Sequence, residues 1–258
     1  MMTYATLVFT AGGTLAVLIW LIAFGLRMRY VLCPAEASVH LPTIEIFTRI
    51  GLLLGTVSWG SYAALTWPQL LWRVALLPPV ALAALMVQTS SARRGSMPLV
   101  VLCLHSCAVV AYGVALAPLW IGGGAGMLTT PPALPLAAVR EIAAATAAGA
   151  LLAHGLLLPV RCYLAQPPND SLVEHLGDGT VRVAWVAVTL ALAAAAWRAW
   201  SAWGEVARAD VTVLFIAWSL LTAAYLRQMV TGITMARMIY GLALLALALV
   251  LMMLAFIP

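Results

Sequence analysis

Apolar runs of about 20 residues recur from one end of this chain to the other, and that recurrence restricts its fold more than any other feature. The runs are apolar all round. They lack the period-two alternation of a barrel strand, so each reads as a transmembrane α-helix. Eight such helices are expected, at roughly 5–26, 48–66, 70–90, 97–120, 138–165, 181–200, 211–228 and 235–257. The expected fold class is therefore all-α: a polytopic transmembrane helix bundle of about eight helices. Composition agrees, with 65% of residues hydrophobic and 8% charged, against about 25% charged in a soluble domain. A soluble chain of 258 residues could not hide that apolar surface, whereas the lipid bilayer, its first expected partner, removes the need to. The first run, Ala5 to Leu26, has no basic n-region and no small-residue cleavage site, and reads as a retained helix rather than a signal peptide.

Breakers separate the helices at Trp67-Pro68, Arg93-Arg94-Gly95-Ser96, the stretch from Gly122 to Pro135, and Pro167-Pro168-Asn169-Asp170. Pro78-Pro79 predicts a kink or break inside the third helix, and Pro159 falls near the end of the fifth. No polar stretch is long enough to fold alone. Residues 1–258 are read as a single transmembrane domain with no internal repeat.

All 13 basic residues are Arg. One side of the expected bundle collects Arg27, Arg29, Arg49, Arg93, Arg94, Arg161, Arg182, Arg227 and Arg237; the other collects Arg73, Arg140, Arg198 and Arg208. The richer side faces the cytoplasm, which puts both termini, the Gly/Pro-rich stretch after the fourth helix and the Trp-rich stretch after the sixth on the outside. Arginines placed singly or in pairs at helix ends describe membrane topology, and nucleic acid is not an expected partner.

Four cysteines form no Cys-x-x-Cys pair. Cys103-x-His105-x-Cys107 has the look of a metal trio, but on a helix His105 is rotated about 200° from Cys103, so small residues packing between helices is the simpler reading. His40 and His175 fall in expected cytoplasmic loops. His105 and His154 lie inside consecutive antiparallel helices at similar depth, about 12–17 Å from the cytoplasmic end by rise per residue. Intramembrane ionisable groups face the bundle interior. Two readings fit: each imidazole bonds a neighbouring carbonyl, or the two face each other and ligate the iron of a haem b.

Trp197-Arg198-Ala199-Trp200-Ser201-Ala202-Trp203-Gly204-Glu205 places three tryptophans within seven residues at the outer interface. Trp197, Trp200 and Trp203 form either an aromatic belt at headgroup depth or a platform for a flat hydrophobic ligand such as a porphyrin. Arg140-Glu141 opens the fifth helix as an interfacial anchor, and Asp210 starts the seventh, where it could cap it.

The stretch Trp203-Gly204-Glu205-Val206-Ala207-Arg208-Ala209-Asp210, followed by Phe215-Ile216-Ala217-Trp218 and Tyr225-Leu226-Arg227, resembles the cytochrome c assembly family, the haem-handling membrane proteins with a WWD domain. The linker Ser171-Leu172-Val173-Glu174-His175-Leu176 and the helix to Trp197 resemble the family's approach to its motif, and His40-Leu41-Pro42-Thr43-Ile44-Glu45 is similar to a short segment before the second helix of some members. The resemblance covers residues 135–258 best, with 197–210 as the external Trp-rich segment. It departs from the pattern at Ala207 and Ala209, which stand where the family has tryptophans, at Arg227, where it has a membrane histidine, and at Arg140, near the place of an external haem-ligating histidine.

The resemblance implies a degenerate haem-handling or cytochrome c assembly protein of the bacterial inner membrane, working through a c-type cytochrome or another membrane protein. His105 and His154 would be its ligands, Trp197, Trp200 and Trp203 its platform, and Asp210 the remnant motif acid. Haem lyase activity is not expected with those residues missing. The alternative is a non-catalytic subunit of a respiratory or photosynthetic electron-transfer complex. A permease is disfavoured, because the sequence suggests no buried charge pair at the membrane midplane.

Overall fold

The computed structural model describes residues 2–34, 38–66, 72–93, 98–120, 134–164, 169–203, 208–231 and 237–257. Among them are eight α-helices and no strand: α1 (Met2–Leu32), α2 (Leu41–Thr66), α3 (Trp72–Arg93), α4 (Pro98–Trp120), α5 (Leu134–Cys162), α6 (Asp170–Trp203), α7 (Ala209–Thr231) and α8 (Arg237–Phe256). Each is long and apolar enough to cross a bilayer, as the sequence predicts. The chain is an integral membrane protein.

The polar ends are longer than expected. α6 begins at Asp170 rather than near residue 181, so Ser171–Leu176 is helix and not linker, and His175 is exposed on its second turn. At about 1.5 Å per residue its 34 residues extend about 51 Å, well beyond a hydrocarbon core of about 30 Å. α2 begins at Leu41, directly after a 3₁₀ turn (Ser38–His40) that carries His40 half-buried.

The chain divides into two compact units, Met1–Thr130 and Pro131–Pro258. In the first, α1 packs on α2 and α4, and α3 packs on α4 and more lightly on α2. In the second, α5 packs on α6 and α8, and α7 on the same two helices. Both are four-helix rings in which the first and third helices occupy opposite corners. That shared connectivity is a repeat of architecture which the sequence does not display.

In the first unit Trp20 is fully buried. Its indole lies on Gly51 and Gly55 of α2, where any side chain would collide with it, and meets Tyr112 edge-on with centroids 5.2 Å apart. Tyr112 donates its hydroxyl to the Gly55 carbonyl at 2.7 Å and stands 3.1 Å from Ser58 Oγ. Arg27 on α1 reaches across the ring to Gln88 on α3; with the amide oxygen turned toward the guanidinium, Nη1 donates at 2.8 Å and Nε at 3.2 Å.

In the second unit, buried alanines (Ala144, Ala147, Ala148 and Ala150 on α5; Ala184, Ala191 and Ala195 on α6) let the helix backbones approach. α6 and α7 are joined by reciprocal bonds: Trp185 Nε1 donates to Thr222 and Trp218 Nε1 donates to Thr189, both at 3.0 Å. The Trp-x-x-x-Thr spacing on each antiparallel helix makes the exchange possible.

Prolines inside the described helices do not stop them. α3 is continuous through Pro78-Pro79, with no break there, and α5 continues through Pro159. A proline leaves the carbonyl four residues earlier without its helical donor. Trp59 Nε1 donates to that carbonyl of Val74 at 2.9 Å, and the Tyr240 hydroxyl donates to that of Gly155 at 2.6 Å. In lipid such re-satisfaction by a neighbouring helix is what makes the proline tolerable.

Candidate functional site

The densest group of charges inside the helical region lies where α5 and α7 begin and α6 ends, the end of the second unit that carries Trp197 and Trp200. Arg140 of α5 is 0% exposed and donates Nη1 to Asp210 Oδ2 of α7 at 2.5 Å, and Nη2 to its neighbour Glu141 Oε1 at 2.5 Å. Asp210 is 4% exposed, and its other oxygen lies 3.7 Å from Nε of Arg208. Arg198 of α6 is buried within electrostatic range of all four.

This arrangement corrects the expectation of an interfacial anchor: Arg140 and Glu141 face the core, not the interface. The pair lies near the starts of α5 and α7 rather than at mid-span, so it does not bear on the expectation that no buried charge pair marks the membrane midplane. Because α5 and α7 stand at opposite corners of the ring, the Arg140–Asp210 bond crosses the bundle. Leaving one partner of such a pair buried alone costs about 3–5 kcal/mol. The sequence held a signal for it: Arg140, Arg198 and Arg208 share the poorer side of the arginine count with Glu141 and Asp210, and helices with so few charges rarely leave opposite signs apart.

The tryptophans occupy the other face of α6. Trp197 is 66% exposed and Trp200 64%. They continue a stripe through Val186 and Leu190 that begins at Arg182, itself paired with Asp178 at 2.6 Å. From Arg182 to Trp200 is about 27 Å of helix, close to the thickness of a hydrocarbon core, so the two indoles stand at the depth of an aromatic belt. The stripe turns away from the buried Asp210. The side chain of Trp203 lies outside the described residues.

The two intramembrane histidines belong to different units, and each has a fixed tautomer. His105 Nε2 donates to the carbonyl of Trp20 at 2.9 Å, because a carbonyl can only accept, and its ring lies 5.5 Å from that of Phe24. His154 Nδ1 stands 3.2 Å from Thr180 Oγ1. That hydroxyl also lies 2.9 Å from the Gly177 carbonyl, which can only accept, and with its hydrogen placed there His154 Nδ1 is the donor. The remaining nitrogens, His105 Nδ1 and His154 Nε2, are buried without a hydrogen-bond partner among the described residues. A neutral imidazole held by one N–H, with the other nitrogen presented as a lone pair, is the form in which histidine binds metals. Among the described residues no three His, Cys, Asp or Glu side chains converge as a metal site; Cys103 is buried and Cys107 half-buried.

The chain matches no protein-family model, no curated protein and no solved structure.

Proposed function

We propose that this is a haem-handling, cytochrome c assembly-like protein of the bacterial inner membrane, in a form that works through a membrane-protein or c-type cytochrome partner at its outer face rather than as a lyase. The observation that carries the reading is the Arg140–Asp210 bond. The resemblance puts Asp210 at the motif acid and Arg140 near an external ligand position. These two side chains, far apart in sequence, meet at 2.5 Å. Their contact supports a retained scaffold in which a guanidinium fills the place of an iron-binding imidazole, and a guanidinium offers no lone pair to a metal.

His105 in the first unit and His154 in the second are each a side chain whose donor chemistry fits the iron of a haem b; a haem held by either would supply one-electron transfer. The protein's part is to hold each ring, fully buried, through Trp20 and Thr180. A second reading, a non-catalytic subunit of a respiratory or photosynthetic electron-transfer complex, is favoured by the complete burial of both rings, Phe24 and Tyr240 lying against them.

A reduced-minus-oxidised absorbance spectrum of the detergent-purified chain separates the two. A b-type signal lost in His105→Ala or His154→Ala is the expected result. A haem-free protein that purifies with stoichiometric partner subunits would overturn haem handling in favour of the structural role.

A further inference from the structure

α8 buries one face, which carries Ile239, Ala243, Ala246 and Val250; at about 100° per residue these fall on one side of the helix. On the opposite side lies an open hollow of about 550 Å³, lined by Met238, Gly241, Leu242, Leu244, Leu245 and Ala248. That is the volume of a small-molecule site. Its depth comes from two small residues, Gly241 and Ala248, and a methyl group added at Gly241 would meet nothing within 4 Å. Met238, Leu244 and Leu245 are exposed and form its walls. Leu244 stands at the edge toward α5, where a methyl group added at Gly155 would come within 3.0 Å of it. The Tyr240 hydroxyl, bonded to the Gly155 carbonyl, fixes the same two helices beside it. Packing therefore sets the wall nearest α5.

Arg237 opens α8 and is exposed. It begins the row Arg237, Gly241, Leu244, Ala248, so it stands one turn before Gly241 on the hollow's side of the helix. The 20 residues of α8 extend about 30 Å, the thickness of a hydrocarbon core. The hollow, from Met238 to Ala248, rises about 15 Å and occupies the half nearest Arg237. It thus spans one leaflet, with a cation at the polar edge of that leaflet. A phospholipid with an anionic headgroup has the same order of parts. We propose that this face of α8 holds one anionic phospholipid, its phosphate on Arg237 and one acyl chain in the hollow over Gly241 and Ala248. A second copy of the chain fits the face less well. Close helix contacts use small residues one turn apart, whereas Gly241 and Ala248 are two turns apart with the exposed Leu244 and Leu245 between them. An acyl chain bends around such side chains. The lipid site stands independently of whether the chain handles haem.

The test is native mass spectrometry of the full chain in detergent, titrated with phosphatidylglycerol and with phosphatidylcholine of the same acyl chains. One bound lipid is expected, with phosphatidylglycerol held about fivefold more tightly, the ratio given by about 1 kcal/mol for one arginine at a membrane surface. R237Q is expected to remove that preference and leave phosphatidylcholine binding as it is. G241L fills the hollow and is expected to weaken both lipids about fivefold or more. A248L, at the far end of the hollow, is expected to do the same. G60L is the control, at a glycine of α2 whose surroundings are as open, and is expected to change neither lipid. Thermal unfolding in detergent checks that each variant is folded. Equal affinity for the two lipids in the native chain would overturn the proposal, and so would a preference that survives R237Q or full binding in folded G241L or A248L. A native dimer that becomes a monomer in G241L would overturn it in favour of a second copy on this face.

Discussion

The indole N–H of Trp59 ends on the carbonyl of Val74, 2.9 Å away, and that carbonyl is the one deprived of its helical partner by Pro78, four residues on. The second unit solves the same problem with Tyr240, whose hydroxyl serves the Gly155 carbonyl freed by Pro159. In each case an aromatic side chain on one helix repairs the backbone of another, so the proline becomes a point of attachment between helices.

The repair predicts a particular coupling. Trp59→Phe removes the donor and keeps the ring, and should cost between about 0.6 kcal/mol, the average for interhelical bonds in a membrane protein, and about 1.7 kcal/mol, the largest. Pro78→Ala restores a backbone N–H to the Val74 carbonyl. In that background Trp59→Phe should cost much less. A double-mutant cycle on reversible unfolding in detergent measures the difference, and equal costs in both backgrounds would refute the repair.

Close packing of Trp20 on α2 gives a second prediction. A methyl group at Gly51 would overlap the indole, and one at Gly55 would lie 2.9 Å from it. Gly51→Ala should therefore destabilise the first unit by about 1–3 kcal/mol, the usual cost of overpacking. Trp20→Leu in the same chain should relieve most of that penalty. Gly113→Ala is the control: nothing lies within 4 Å of its added methyl, and a helical Gly→Ala change there should be neutral or stabilising. Thermal unfolding of the three variants checks the order.

How much of this was readable in advance follows from what leaves a mark in sequence. The number of helices was, because lipid demands a long apolar run for every crossing. The first 11 or so residues of α6 were not, since outside the bilayer a helix needs no hydrophobicity; Arg182 and Asp178, one turn apart and paired, were the only hint. Pro78-Pro79 announced a kink or break, and the structure keeps an unbroken helix because Trp59, 15 residues before Val74, supplies the missing bond. His105 and His154 were rightly expected to be buried. What their rings bond to was beyond reach, since Trp20 and Thr180 are ordinary residues that only the fold brings near. The charge group at Arg140 was misread for a related reason: Arg-Glu at a helix start suits an interface equally well until Asp210, 70 residues away, is seen to complete it.

The tautomer of His154 is a third prediction. Thr180 Oγ1 spends its hydrogen on Gly177 and accepts from His154 Nδ1, which leaves Nε2 unprotonated. Nitrogen-15 spectra of ring-labelled protein should show a neutral imidazole with its proton on Nδ1. Thr180→Ser keeps the acceptor and should leave the spectrum as it is. Thr180→Val removes it, and either shifts the proton toward Nε2 or leaves the N–H to the Gly177 carbonyl alone. A proton on Nε2 in the native chain would refute the assignment.

The fourth prediction concerns Arg27 and Gln88, the polar contact that crosses the first unit as Arg140–Asp210 crosses the second. Arg27 is buried on α1 and its guanidinium converges on the amide oxygen of Gln88 on α3, with three nitrogens within 3.2 Å. Gln88 is itself fully buried, so the contact is shielded from water. Gln88→Leu removes the acceptor while keeping a similar volume, and leaves Arg27 with fewer groups to replace its lost hydration. The expected loss is about 1.5–3 kcal/mol, the scale for a hydrogen bond to a charged group. Arg27→Met in the same chain also removes the charge, so the double variant should recover much of the loss, as apolar replacements of buried polar pairs often do. Gln88→Leu should therefore unfold at a lower temperature than Arg27→Met/Gln88→Leu. If the double variant is the less stable of the two, Arg27 draws its main support from elsewhere in the unit, and the crossing contact is incidental to the ring.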